Sequence, residues 1–215
     1  MAQVALPFDV PSATAAAQIA QLPSPYGDAT SADPIASAIG RDFARHRLTP
    51  PVQHLQAESP VYQAWRAGRA AFGQRTLPGT PRVRLWLQLR LQAWMQGLVF
   101  EDMQLTPCHL QQLEVSHCPV TREPLTRATQ TGTDGRVDRI NHAAAFAAGN
   151  LAMLSAQACQ ARACLDWQQQ WAVVHELIET VPAMATRRAG LDARQWSRLA
   201  TLTSFATPLP HATAA

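Results

Sequence analysis

The sequence predicts a mainly helical protein with one small β element. Three observations carry that reading. An acidic or hydroxylated residue precedes proline at Asp33-Pro34, Ser59-Pro60 and Thr106-Pro107, the pairing expected of a helix N-cap followed by proline in the first helical position. Apolar residues then recur at helical spacing after these points. Turn signals and β-branched residues gather between residues 134 and 154.

With 215 residues, 47% of them hydrophobic and 15% charged, the chain is long enough for one sizeable core and too apolar for a disordered polymer. The Ala-, Pro-, Ser- and Gln-rich residues 1–32 have no period and read as a flexible N-terminal tail. Residues 33–206 read as a single mostly helical domain, and 207–215 as a C-terminal tail. The chain has no lysine, so all 18 of its Lys+Arg residues are arginine, and the net charge is +3. That balance permits nucleic-acid binding without arguing for it. No apolar run is long enough to span a bilayer, and the first residues lack a leader pattern, so the expectation is a cytoplasmic protein with no membrane partner. The four cysteines are expected as thiols, with Cys108 and Cys164 read as small buried residues.

The elements follow in order. Asp33-Pro34 starts a helix with Ile35, Ile39 and Phe43 inward, ending before Pro50-Pro51. Ser59-Pro60 starts a second, with Tyr62, Trp65 and Phe72 as its stripe, Gly68 weakening its middle and Gly73 ending it. Residues 82–99 alternate like a strand at Val83, Leu85, Leu87, Leu89 and Leu91, yet their composition favours a helix. Arg82, Arg84 and Arg90 read as its solvated face. Thr106-Pro107 starts a short helix through Leu113. Later, Asp166 caps a helix bearing Trp167, Trp171, Val174 and Ile178, with His175 read as a hydrogen-bonded core residue. Pro182 breaks the chain, and a last helix from about Asp192 to Phe205 turns Trp196 and Leu199 inward.

The chemistry concentrates between Cys118 and Arg162. Asp134-Gly135 is a turn signal before Arg136–Ile140, and Gly149-Asn150 is another before Leu151–Leu154. Ser155 can cap a helix carrying Cys159 and Arg162. The local order is therefore strand, loop, strand, helix. Such a unit suits one divalent cation at a phosphodiester, held by an acid from the strand and a side chain from the helix, with a histidine to activate water. No C-x-x-C pair exists, so structural zinc is not expected. Cys118 reads as a buried anchor for the turn at Pro119.

Four blocks, C-P-V-T-R-E-P-L at 118–125, V-D-R-I-N at 137–141, F-A-A-G-N-L at 146–151 and A-C-Q-A-R at 158–162, together resemble the HNH nuclease superfamily with its ββα-metal fold. The similarity is closest to the recombination endonuclease VII-like branch. It covers about a fifth of the chain and implies an HNH-like unit at about 118–163, hydrolysing DNA with Mg²⁺ or Mn²⁺. The resemblance assigns Asp138 to the metal and Asn150 to the central asparagine. Cys159 falls where a helix asparagine completes the metal site, and Arg139 where many HNH enzymes keep their histidine base. Arg136, Arg139 and Arg162 are then the nucleic-acid contacts, and His142 a substitute base. Two departures stand out. Arginine is not a base at neutral pH, and a cysteine sulfur suits magnesium poorly. A regular pleat also sends Asp138 and Arg139 to opposite faces. Three readings remain, of which the first is a metal-dependent DNA endonuclease and the second a non-catalytic descendant that binds nucleic acid, a protein or a second copy. A chance match in a helical interaction protein is the third.

Overall fold

The structure, a computed structural model, describes residues 33–179 and 187–205. The expected tails and the break at Pro182 lie outside the described residues. Four helices come first: α1 (Pro34–Arg45), α2 (Pro60–Phe72), α3 (Pro81–Met95) and α4 (Pro107–Gln112). Strands β1 (Gly135–Arg139) and β2 (Leu151–Ser155) follow, then α5 (Ala156–Arg162), α6 (Trp167–Glu179) and α7 (Ala193–Phe205). The protein is thus mainly helical with one two-stranded antiparallel sheet.

Capping chemistry explains the helix starts. The Asp33 carboxylate accepts from the amides of Ile35 and Ala36. The hydroxyls of Ser59, Thr80 and Thr106 play the same part for α2, α3 and α4, each with proline next in the chain. Thr80-Pro81 is therefore the start signal that makes this stretch a helix, which ends at Met95, short of the expected 99. Asp166 and Asp192 head capping boxes, each exchanging hydrogen bonds with the glutamine three residues on.

The strand-like alternation in α3 has a packing cause. Val83, Leu87 and Leu91 pack with Ile39, Phe43 and Val61 of α1 and α2. Leu89 and Ala93, on the far side of the same helix, pack with Leu105, Leu110, Phe146 and Leu151. A helix covered on two sides needs apolar residues on both, so its sequence loses the single stripe of a surface helix. A third cluster joins Cys118, Val120 and Leu154 to Val173, Val174, Trp196 and Leu199 of α6 and α7.

Helices α1 and α2 touch backbone to backbone. A Cβ built on Gly40 would collide with the Val61 carbonyl oxygen and lie 2.9 Å from the Ala64 Cβ, while one on Gly68 would lie 2.9 Å from the Ala44 Cβ. Gly68, expected only to weaken α2, is thus a contact point.

Several burial expectations are corrected. Ile35 is 57% exposed, because the inward face of α1 runs through Ala36, Ile39, Gly40, Phe43 and Ala44. Tyr62, Trp65 and Phe72 are only half-buried, and Val61 and Gly68 take the inner positions of α2. Arg90 is not on a solvated face. It is buried between Trp86 and Phe100, paired with Asp42 at 2.5 Å and Asp102 at 3.0 Å. On α6, Ile178 and His175 are exposed and Trp167 is half-buried, because the buried face is Gln170, Val173 and Val174. Cys108 and Cys164 are exposed, not buried.

Candidate functional site

The site is built around the hairpin and the helix that follows it. The loop before β1 is closed by Asp134, whose carboxylate accepts from the hydroxyls of Thr129 and Thr126 and the amides of Thr129 and Gln130. Those bonds hold its carboxyl down at about 2. β1 and β2 then pair in register from Gly135 opposite Ser155 to Arg139 opposite Leu151, with no bulge. The Ser155 hydroxyl accepts from the Ala158 amide and starts α5 directly at the strand end. The buried Cys118 sulfur accepts from the Ser155 amide at 3.3 Å, which ties the 118–125 turn to the β2–α5 junction.

The unbroken pleat separates neighbouring side chains. Asp138 turns toward α5, and Arg139 turns to the other face. There the Arg139 guanidinium donates to the carbonyls of His142 and Ala144 and to Gln96 Oε1, and lies 4.5 Å from the Phe146 ring centre. The residue is 8% exposed. It braces the 141–146 loop and does not share a face with Asp138. Asn150 braces the same loop: its side chain accepts from the Asn141 amide and donates to the carbonyls of Asn141 and Ala145. Gln96, the partner of Arg139, carried no sequence signal, since it lies 43 positions away on the end of α3.

What meets Asp138 is Arg162. Its Nη2 lies 2.5 Å from Asp138 Oδ2, and its Nη1 donates to the Ile140 carbonyl at 2.8 Å. The Arg162 side chain is 2% exposed and that of Asp138 28%. His142 completes the group, its Nε2 being 3.3 Å from Asp138 Oδ1 and 2.6 Å from Arg162 Nη2. One ring nitrogen serves one partner at a time, as donor to the carboxylate or as acceptor from the guanidinium. Burial pushes the Asp138 carboxyl up, but the hydrogen bond with His142 and the charge of Arg162 outweigh it and hold it below its ordinary value. Arg136, on β1, is exposed.

Cys159 is half-buried on α5, and burial, with the nearby Asp138 charge adding to it, pushes its thiol up to about 12. A thiol is the soft, protonated opposite of what a hard cation needs. Asp138 already has a cation on one oxygen. Among the described residues no group of three His, Cys, Asp or Glu side chains is placed to hold a metal ion. The residues around Asp138 therefore do not fit Mg²⁺ or Mn²⁺.

The thiols give a direct check of this geometry. In the native protein an aromatic disulfide reagent should modify the exposed Cys108 and Cys164 and leave Cys118 and Cys159 untouched until denaturant is added. Equal rates for all four would contradict the packing of α5.

Among the described residues, no helix is long and apolar enough to cross a membrane. No family model matches the chain, and no curated protein or solved structure is significantly similar to it.

Proposed function

We propose that the chain is a non-catalytic DNA-binding protein built on an HNH-like ββα unit, with Arg162 standing where the family places a metal. The observation that carries this reading is the Arg162–Asp138 contact at 2.5 Å. A guanidinium supplies a permanent positive charge to the strand acid without an open coordination position. The ordered motif blocks and the strand–loop–strand–helix order support the family resemblance, and arginine in place of every lysine suits phosphate contacts.

A metal-dependent endonuclease is the second reading. It is favoured by His142, about 30% exposed beside Asp138, where a general base belongs. One experiment separates them. Binding to duplex DNA is measured across salt with and without a chelator, and plasmid nicking is followed with Mg²⁺ and Mn²⁺. The proposal expects salt-sensitive binding that ignores the chelator, and intact plasmid. Metal-dependent nicking lost in Asp138→Asn would establish the endonuclease instead. Neither binding nor nicking would leave a helical interaction protein.

A further inference from the structure

The positive charge of this chain is not evenly spread. Residues 41–84 carry eight arginines, Arg41, Arg45, Arg47, Arg66, Arg69, Arg75, Arg82 and Arg84, against two acids, Asp42 and Glu58. Residues 85–205 carry ten arginines and ten acids. The surplus therefore belongs to α1, α2 and the start of α3, outside the ββα unit. One of its two acids is already matched, since Asp42 pairs with the buried Arg90 of α3.

Most of the arginines are also available, although Arg47 donates to Thr76 and the Gln74 carbonyl and Arg84 to the Gly79 carbonyl. All but Arg82 are exposed. Among the described residues Arg82 alone of the eight has an ion-pair partner, Glu114. Two are held in place from below by aromatic rings. Arg66 lies over Tyr62 at 5.8 Å and Arg69 over Trp65 at 5.1 Å, and the two rings stack with centres 5.8 Å apart. Such seating lowers the entropy lost when a guanidinium meets a ligand. Beside them a cleft of about 630 Å³ is lined by Arg47, Trp65, Arg69, Gln74 and Thr76, with no acid on its wall. Arg45 and Arg69 also lie in the last turns of their helices, where a cation complements the helix dipole. Arg41 and Arg66 lie further inside and have no such structural employment.

We infer that the α1–α2 face is the principal nucleic-acid contact of this protein, gripping the phosphate backbone of duplex DNA without reading bases. The ligand is an extended polyanion, because the cations are spread over α1, α2, the start of α3 and the connections between them instead of converging on one point, as a single phosphate would need. The choice of DNA rests on the proposed function. The placement of the surface rests on the charge distribution alone.

The test uses the full chain and a random-sequence 30-base-pair duplex, with affinity followed against salt. The triple variant Arg41→Gln/Arg66→Gln/Arg75→Gln removes three exposed charges and keeps Asp138 and Arg162. Its slope of log affinity on log salt should fall by about 3, near 0.9 for each lost phosphate contact, with affinity at least about tenfold weaker. Arg122→Gln/Arg127→Gln/Arg194→Gln removes the same charge from the balanced half and should change little. Circular dichroism confirms that each variant folds. The inference is overturned if both triple variants lose affinity equally, or if the Arg41/Arg66/Arg75 variant binds as the parent does. If the parent binds no duplex at all, the DNA reading itself falls.

Discussion

Asp138→Ala is expected to destabilise the protein by about 3–5 kcal/mol, the usual cost of stripping the partner from a buried charge. The loss would come from Arg162 more than from the aspartate. Arg162 is 2% exposed, and without Asp138 its guanidinium keeps the Ile140 carbonyl and the His142 ring but no negative charge. Removing both charges with Asp138→Leu/Arg162→Met should recover most of the stability, since paired buried ions are often matched by apolar residues of similar volume. Denaturant unfolding of the two singles and the double gives the coupling directly. A cost below about 1 kcal/mol for Asp138→Ala would mean that the pair does not form in solution.

The same group sets a pH dependence with a fixed sign. The Asp138 carboxyl is held below its ordinary value in the folded protein, so the unfolded chain binds that proton more readily. Its contribution is complete above the unfolded carboxylate value of about 3.9 and disappears as pH falls through the lower folded value. Compared with Asp138→Asn, the parent should lose stability faster as pH falls below about 4. Parallel curves for the two proteins would deny the shift.

Gly40→Ala is the second large effect expected, about 3 kcal/mol or more, or a melting temperature roughly 6–12 °C lower. The added methyl would meet the Val61 carbonyl oxygen, which belongs to the backbone of α2 and cannot rotate away. Gly68→Ala should cost less, because its nearest obstacle is the Ala44 side chain. Gly149→Ala, which meets nothing within 4 Å, is the control. If Gly40→Ala melts with that control, the two helices are not in contact as described.

The sequence was legible wherever one residue type does one local job. Asp33, Ser59, Thr106, Ser155, Asp166 and Asp192 all cap the helices they announce. The hairpin lies where Asp134-Gly135 and Gly149-Asn150 placed it, and Asn150 fixes the loop as its chemistry allows. What stayed illegible depends on partners distant in the chain. Arg90 reads as a surface residue until Asp42 and Asp102 are brought to it. Arg139 reads as a phosphate clamp until the pleat turns it toward Gln96 and Phe146. Arg162 reads as one more basic residue until α5 carries it across to Asp138. Each is an arginine, whose long side chain lets its surroundings decide between solvent, phosphate and an internal carboxylate.

Helix α3 contributes leucines to packing on both of its flanks, and this constrains how the molecule comes apart. Neither the α1–α2 side nor the hairpin side can loosen alone without wetting one row of that shared helix. Heat or denaturant should therefore dissolve the two sides together, in one concerted transition seen identically by tryptophan fluorescence and by circular dichroism. Signals that part company during the melt would reveal two units merely leaning on a common rod.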